Sequence, residues 1–83
     1  MSRPLIYADF QNADIQGRLR LNCIGTIRDL SRQSVALQHG LELTLYDEEL
    51  EAEGVVLFSP DEHLWVAAID SQAIRPREEG PAN

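Results

Sequence analysis

The sequence contains no lysine, a single cysteine and no long hydrophobic run. A single cysteine, Cys23, excludes an internal disulfide framework and fits a reducing compartment. No stretch approaches the length of a transmembrane helix, and the first residues lack the apolar segment of a signal peptide. We therefore expect a cytoplasmic protein that has no membrane partner.

Motifs that carry chemistry are also missing from the sequence. Cys23 lacks a recognisable nucleophile motif, and only His39 and His63 are available as histidine bases. Zinc-binding spacings such as C-x-x-C or H-x-x-x-H do not occur, and the acidic segments lack the D-x-D-x-D-G spacing of a calcium loop. These absences predict a protein that is not an enzyme and that needs no cofactor or metal.

Charge is distributed unevenly along the chain. Residues 1–40 carry five arginines against three acids, a net charge of +2, whereas residues 41–83 carry two arginines against eleven acids, a net charge of −9. Such polarity bears on electrostatic steering and partner choice rather than on fold. We interpret the densest acids as a solvated edge, because charged strand residues block edge-to-edge pairing. They are Asp47, Glu48, Glu49, Glu51, Glu53, Asp61 and Glu62.

The stretch 40–70 predicts three antiparallel strands. Leucines alternate with polar residues over 41–46, which is the period of two expected when one strand face is buried. An acidic hairpin loop at 46–50 and a Ser-Pro turn at 59–62 join the strands. Gly54, inside the second of these strands, predicts a bulge or a sharp bend.

The first half of the chain predicts two further strands and a short helix. Strand-like sequence occupies 5–10 and 18–23. Over 26–33, Thr26 followed three residues later by Asp29 favours a helix of one or two turns, because these side chains can receive first-turn amide protons. In that helix Ile27 and Leu30 would share one face, with Arg28 and Arg32 exposed. The alternative is an extension of the second strand.

The motifs G-L-E-L-T-L-Y-D-E-E, E-A-E-G-V-V-L-F and H-L-W-V-A-A-I-D give the chain a recognisable arrangement. It resembles the SH3-like β-barrels, as a stand-alone small bacterial protein. The strand count and this resemblance together predict a mainly all-β, five-stranded antiparallel barrel over residues 1–74, with a short helix near 26–33. Residues 75–83 are rich in proline and charge and predict a flexible tail.

Arginines in the first half of the chain are the first candidates for partner contact. Arg18 and Arg20 share one strand face, and Arg28 and Arg32 follow in the predicted helix. Guanidinium groups favour the carboxylates of a partner protein or the phosphates of a nucleotide or nucleic acid. The overall charge of −7 and the scarcity of aromatics favour the protein partner over nucleic acid.

Tyr46 and Trp65 are the other candidate contacts. Trp65 belongs to a strand that is apolar on both faces, which favours a central strand with Trp65 in the core. The alternative is an exposed Trp65 that forms a binding patch with Tyr46. The sequence thus predicts a protein-interaction or regulatory module, monomeric or weakly self-associating, with nucleic-acid or nucleotide binding through the arginines as the alternative.

Overall fold

The computed structural model describes residues 3–77 as one curled, mainly β sheet with one α-helix. The strands are β1 (Leu5–Tyr7), β2 (Leu19–Arg20), β3 (Glu42–Tyr46), β4 (Leu50–Ser59), β5 (Leu64–Ile69) and β6 (Arg75–Pro76). Helix α1 spans Ile24–Arg32, and a short 3-10 helix spans Ser71–Ala73. The prediction of a mainly β fold with a short helix near 26–33 is confirmed.

The sheet differs from the predicted barrel in strand number and direction. Its order is β1-β3-β4-β5-β2, and β6 pairs separately with β4. β1 runs parallel to β3, whereas the other pairs are antiparallel. The parallel pair arises because a long crossover through β2 and α1 separates the two strands. Over residues 3–77 no pairing joins β1 to β2, so the sheet is an open half-barrel.

The core lies on the inner face of the curled sheet. Leu43 and Leu45 of β3 are fully buried, as the period-two pattern predicts. Val56 of β4 and Ala67 of β5 share this face, because they pair directly with each other. The other buried members of the cluster are Ile6, Ala8, Leu19 and Leu21.

Gly54 allows close packing of the core without a bulge. It lies opposite Leu43 on β3 and Ile69 on β5, and neither register is interrupted. The predicted bulge is therefore absent. A Cβ at this position would lie 2.8 Å from Leu45 Cδ1 and 3.1 Å from Ile69 Cγ2. Glycine is needed here because neighbouring side chains fill the space that a Cβ would occupy.

The ordered fold continues past residue 74, the predicted end of the domain. Arg75–Pro76 forms β6 beside the start of β4. The Arg75 guanidinium lies 2.6 Å from a Glu51 carboxylate oxygen and 2.9 Å from one of Glu53. Strand pairing and ion pairs, rather than apolar burial, hold this segment in place. Its composition suggested a flexible tail because it contains few apolar residues. The remainder of the predicted tail, 78–83, lies outside the described residues.

Candidate protein-interaction surface

Helix α1 buries polar residues and exposes apolar ones. Thr26 and Asp29 are 0% and 9% exposed, whereas Ile24 and Ile27 are 70% and 56% exposed. A surface helix of a globular protein normally turns its apolar stripe to the core. Of the two residues expected on one helix face, Leu30 packs against the core, whereas Ile27 is exposed.

The buried face of α1 hydrogen bonds to the outer edge of β1. Thr26 Oγ1 donates to the Tyr7 carbonyl at 2.6 Å, and Asp29 Oδ2 accepts from the Tyr7 amide at 2.9 Å. One turn further on, Gln33 Nε2 donates to the Leu5 carbonyl at 2.9 Å. Positions 26, 29 and 33 lie on one helical face, so these side chains take the place of a neighbouring strand.

These bonds replace the capping roles predicted for Thr26 and Asp29. Helix α1 begins at Ile24, and its N-cap is Cys23, which makes no side-chain capping bond. Both polar side chains turn instead to the backbone of β1. The backbone groups of an edge strand need partners wherever water is excluded, and α1 supplies them.

Tyr46, a predicted partner contact, helps to attach α1 to the sheet. Its hydroxyl donates to Asp29 Oδ2 at 2.7 Å. Burial, followed by this hydrogen bond, raises the pKa of Tyr46. The Tyr7 ring meets the Tyr46 ring edge-on, with 5.6 Å between centroids, and a Cβ on Gly25 would lie 2.6 Å from Tyr7 Cδ2. The close approach of helix to strand therefore depends on Gly25.

The outward side of α1 joins two isoleucines to two arginines. The helical period places residues 24, 27, 28 and 31 on one side, and residue 32 beside them. Among the residues that the structure describes, no ion pair involves Arg28 or Arg32. We call Ile24, Ile27, Arg28 and Arg32 the α1 face.

An acidic cleft lies beyond the N-terminal end of α1. It is lined by Tyr7, Asp9, Gln11, Asp47, Glu48 and Glu49. The Tyr7 hydroxyl lies 3.5 Å from both carboxylate oxygens of Glu48. Burial, followed by the charges of Glu48 and Asp9, raises the pKa of Tyr7. Within residues 3–77, no three His, Cys, Asp or Glu side chains are grouped so that they could hold a metal ion.

Arg18 and Arg20 lie at the β2 edge and are paired with acids. Arg18 Nε lies 2.8 Å from Asp14 Oδ2, and Arg20 makes two bonds to the Glu62 carboxylate, at 2.7 and 2.9 Å. The hydrogen bond from Arg20 lowers the pKa of Glu62. Burial of Asp14 would raise its pKa, but bonds from the Arg18 backbone and side chain outweigh it and lower the pKa. Two of the four candidate arginines are therefore neutralised by neighbours.

Trp65 packs on the core side of the sheet. It pairs with Phe58 across β4 and β5, and the two rings meet edge-on with 5.2 Å between centroids. Trp65 is partly buried against the core cluster. Tyr46 alternates with the buried Leu45 and therefore lies on the opposite sheet face. The two aromatics do not form the joint patch that was the alternative for Trp65.

The described helices include none with the length and apolar character needed to cross a membrane. The isoleucines of the α1 face were missed as candidates, because a helix pattern alone places apolar residues against the core. Comparison of the chain with protein-family models, curated proteins and solved structures finds no match. Because no known protein suggests a function, a functional assignment depends on the surfaces described above.

Proposed function

We propose that this protein is a non-enzymatic protein-interaction module that binds its partner through the α1 face. The observation that carries the proposal is the exposure of Ile24 and Ile27 on a helix whose buried positions are polar. Full burial of an isoleucine side chain is worth about 1.5–3 kcal/mol. Folding leaves most of this stabilisation unused at both positions, and a partner that covers them would gain it.

The arginines beside the isoleucines indicate the chemistry of the partner. Arg28 and Arg32 have exposed side chains and make no ion pair within the described part of the chain. Guanidinium groups at the rim of an apolar patch favour carboxylates on the opposing surface. The expected partner is a protein surface with an apolar centre and acidic residues at its rim. The pairing of Arg18 and Arg20 within the chain favours this partner over nucleic acid.

Crosslinking followed by binding measurements with purified components tests the proposal. A photoreactive amino acid at position 27 should capture the partner in cells, and the same group at position 15 should not. Ile15 provides a matched control, since it is an isoleucine that is 98% exposed in a loop outside α1. With the purified partner, the variant I24S/I27S should bind at least about tenfold more weakly than the wild type, a loss of about 1.4 kcal/mol.

The I15S variant should bind the same partner as tightly as the wild type. All three proteins should unfold at similar temperatures, because neither Ile24 nor Ile27 is buried in the fold. Equal affinity of I24S/I27S and the wild type would overturn the proposal. Capture at position 15 but not at position 27 would do so as well.

A further inference from the structure

We infer that the partner of the α1 face is a second copy of this chain, an inference that rests on the proposed function. The basis is the order of charges along the helix axis. Along the axis of α1, the acidic cleft comes before Ile24 and Ile27, and Arg28 and Arg32 follow them. A strip with this order is complementary to itself when it is reversed.

The order follows from the direction of β1 relative to α1. Leu5 bonds to Gln33 at the C-terminal end of the helix, whereas Tyr7 bonds to Thr26 in its first turn. The chain that leaves β1 therefore passes the N-terminus of α1 and carries Asp9 to that end. β3 runs parallel to β1, with Tyr46 opposite Tyr7.

The acidic hairpin 47–49 therefore reaches the same end of the helix. Its Glu48 carboxylate lies beside the Tyr7 hydroxyl. Arg28 lies at the middle of α1, one residue after Ile27, and Arg32 lies in the last turn. Acids near the N-terminus and cations near the C-terminus also agree with the helix dipole.

Arg77 lies near the acidic cleft, but the net charge of the cleft remains negative. Its guanidinium stacks over the Tyr46 ring at 4.3 Å from the centroid, and its Nη1 contacts the Asp47 carbonyl. The cleft still contains four carboxylates, those of Asp9, Asp47, Glu48 and Glu49. This end of the strip thus presents a net negative surface to a docking arginine.

A two-fold axis through the isoleucines would match each end of one strip with the opposite end of the other. Ile24 and Ile27 of the two copies would bury each other, and each acidic cleft would receive Arg28 and Arg32 of its neighbour. Such an isologous contact closes at two copies and leaves no surface for a filament. The overall charge of −7 on each copy opposes association, so the dimer is weak and concentration-dependent.

Two charge-reversed variants test the pairing. Variant A is R28E/R32E, and variant B is E48R/E49R. All four side chains lie at exposed positions, so the fold should tolerate both variants. Sedimentation equilibrium from micromolar to millimolar concentration should show the wild type moving from monomer to dimer. Each variant alone should remain monomeric, because like charges then face each other across the two-fold axis.

An equimolar mixture of A and B should form a dimer again. In that pair the glutamates of A face the arginines of B, and the native acids of A face the native arginines of B. I27D should be monomeric throughout, whereas I15D should dimerise like the wild type. Recovery of the dimer in the mixture would show that these residues of one copy contact those of the other.

A wild type that remains monomeric at millimolar concentration would overturn the inference. A mixture of A and B that stays monomeric would also overturn it, even if the wild type dimerises. Neither result would contradict the proposed function, because crosslinking at position 27 to a different protein would still establish the α1 face as a binding surface. Failure of the crosslinking and binding experiment, by contrast, would remove both.

Discussion

Replacement of Asp29 by alanine should weaken the attachment of α1 to the sheet edge. The Asp29 carboxylate accepts hydrogen bonds from the Tyr7 amide at 2.9 Å and the Tyr46 hydroxyl at 2.7 Å. Alanine removes the acceptor and leaves both donors without it. A buried donor that loses its partner costs about 1–3 kcal/mol. Because the Tyr46 side chain is only half-buried, water can compensate for part of the loss there.

We expect D29A to lower the free energy of unfolding by about 3 kcal/mol, of which about 2 kcal/mol comes from the Tyr7 amide. A chain of 83 residues has a total stability of about 4–12 kcal/mol, so the loss is a large fraction. Y46F removes only one donor and should cost about 1 kcal/mol. The double variant D29A/Y46F should be about 1 kcal/mol more stable than the sum of the single effects predicts, because both changes remove the same bond.

Urea unfolding followed by Trp65 fluorescence gives these stabilities, and hydrogen exchange identifies the bond that is lost. The Tyr7 amide should exchange faster in D29A and remain protected in Y46F. D29N provides a control, because its side chain keeps one carbonyl oxygen as an acceptor, and it should lose less stability than D29A. A D29A protein within about 0.5 kcal/mol of the wild type, or with unchanged exchange at Tyr7, would refute this account of how α1 is held.

Ser34 adopts a left-handed conformation with φ of 55° just after α1, so S34G should raise stability by about 1 kcal/mol and the melting temperature by about 4–8 °C, whereas S34A should give no gain. G54A should lower the free energy of unfolding by about 1–3 kcal/mol, because its Cβ would press on Leu45, and an unchanged urea midpoint would contradict this packing. Hydrogen bonding from Arg75 lowers the pKa of Glu53 from its ordinary value of 4.5. The resulting stabilisation is present above that value and lost as pH falls through the lowered pKa. Hence R75Q should be less stable than the wild type at pH 7, and the difference should shrink in acid. A difference that stays constant with pH in urea unfolding would exclude this linkage.

Local patterns in the sequence predicted the parts of the fold that local physics determines. Alternation over 41–46 predicted which leucines of β3 are buried, and the turn residues predicted the hairpins on either side of β4. A short helix near 26–33 was also predicted, although Thr26 and Asp29, which suggested it as capping residues, lie inside α1 and bond to β1. Parallel pairing of β1 and the return of Arg75–Pro76 to β4 were not, because both depend on contacts between distant segments.

Among the candidate contact residues, the sequence predicted exposure correctly only where exposure does not depend on what the helix packs against. Arg28 and Arg32 remain on the surface as expected. The pairing of Arg20 with Glu62 joins residues that are far apart in the chain, and no spacing rule signals it. Tyr46 was a reasonable contact candidate from its residue type, but the buried Asp29 carboxylate already binds its hydroxyl.

The orientation of α1 is set by hydrogen bonds to β1 rather than by burial of its isoleucines. Burial of Ile24 and Ile27 would gain about 1.5–3 kcal/mol each, and the helix forgoes it. The helix instead supplies partners to the part-buried amide and carbonyl of Tyr7, and each of these groups would cost about 1–3 kcal/mol if it were buried without a partner. These magnitudes are comparable, so the hydrogen bonds of a short edge strand are enough to turn the helix. The isoleucines are exposed because the edge of β1 requires polar residues, and the α1 face is a consequence of how that edge is covered.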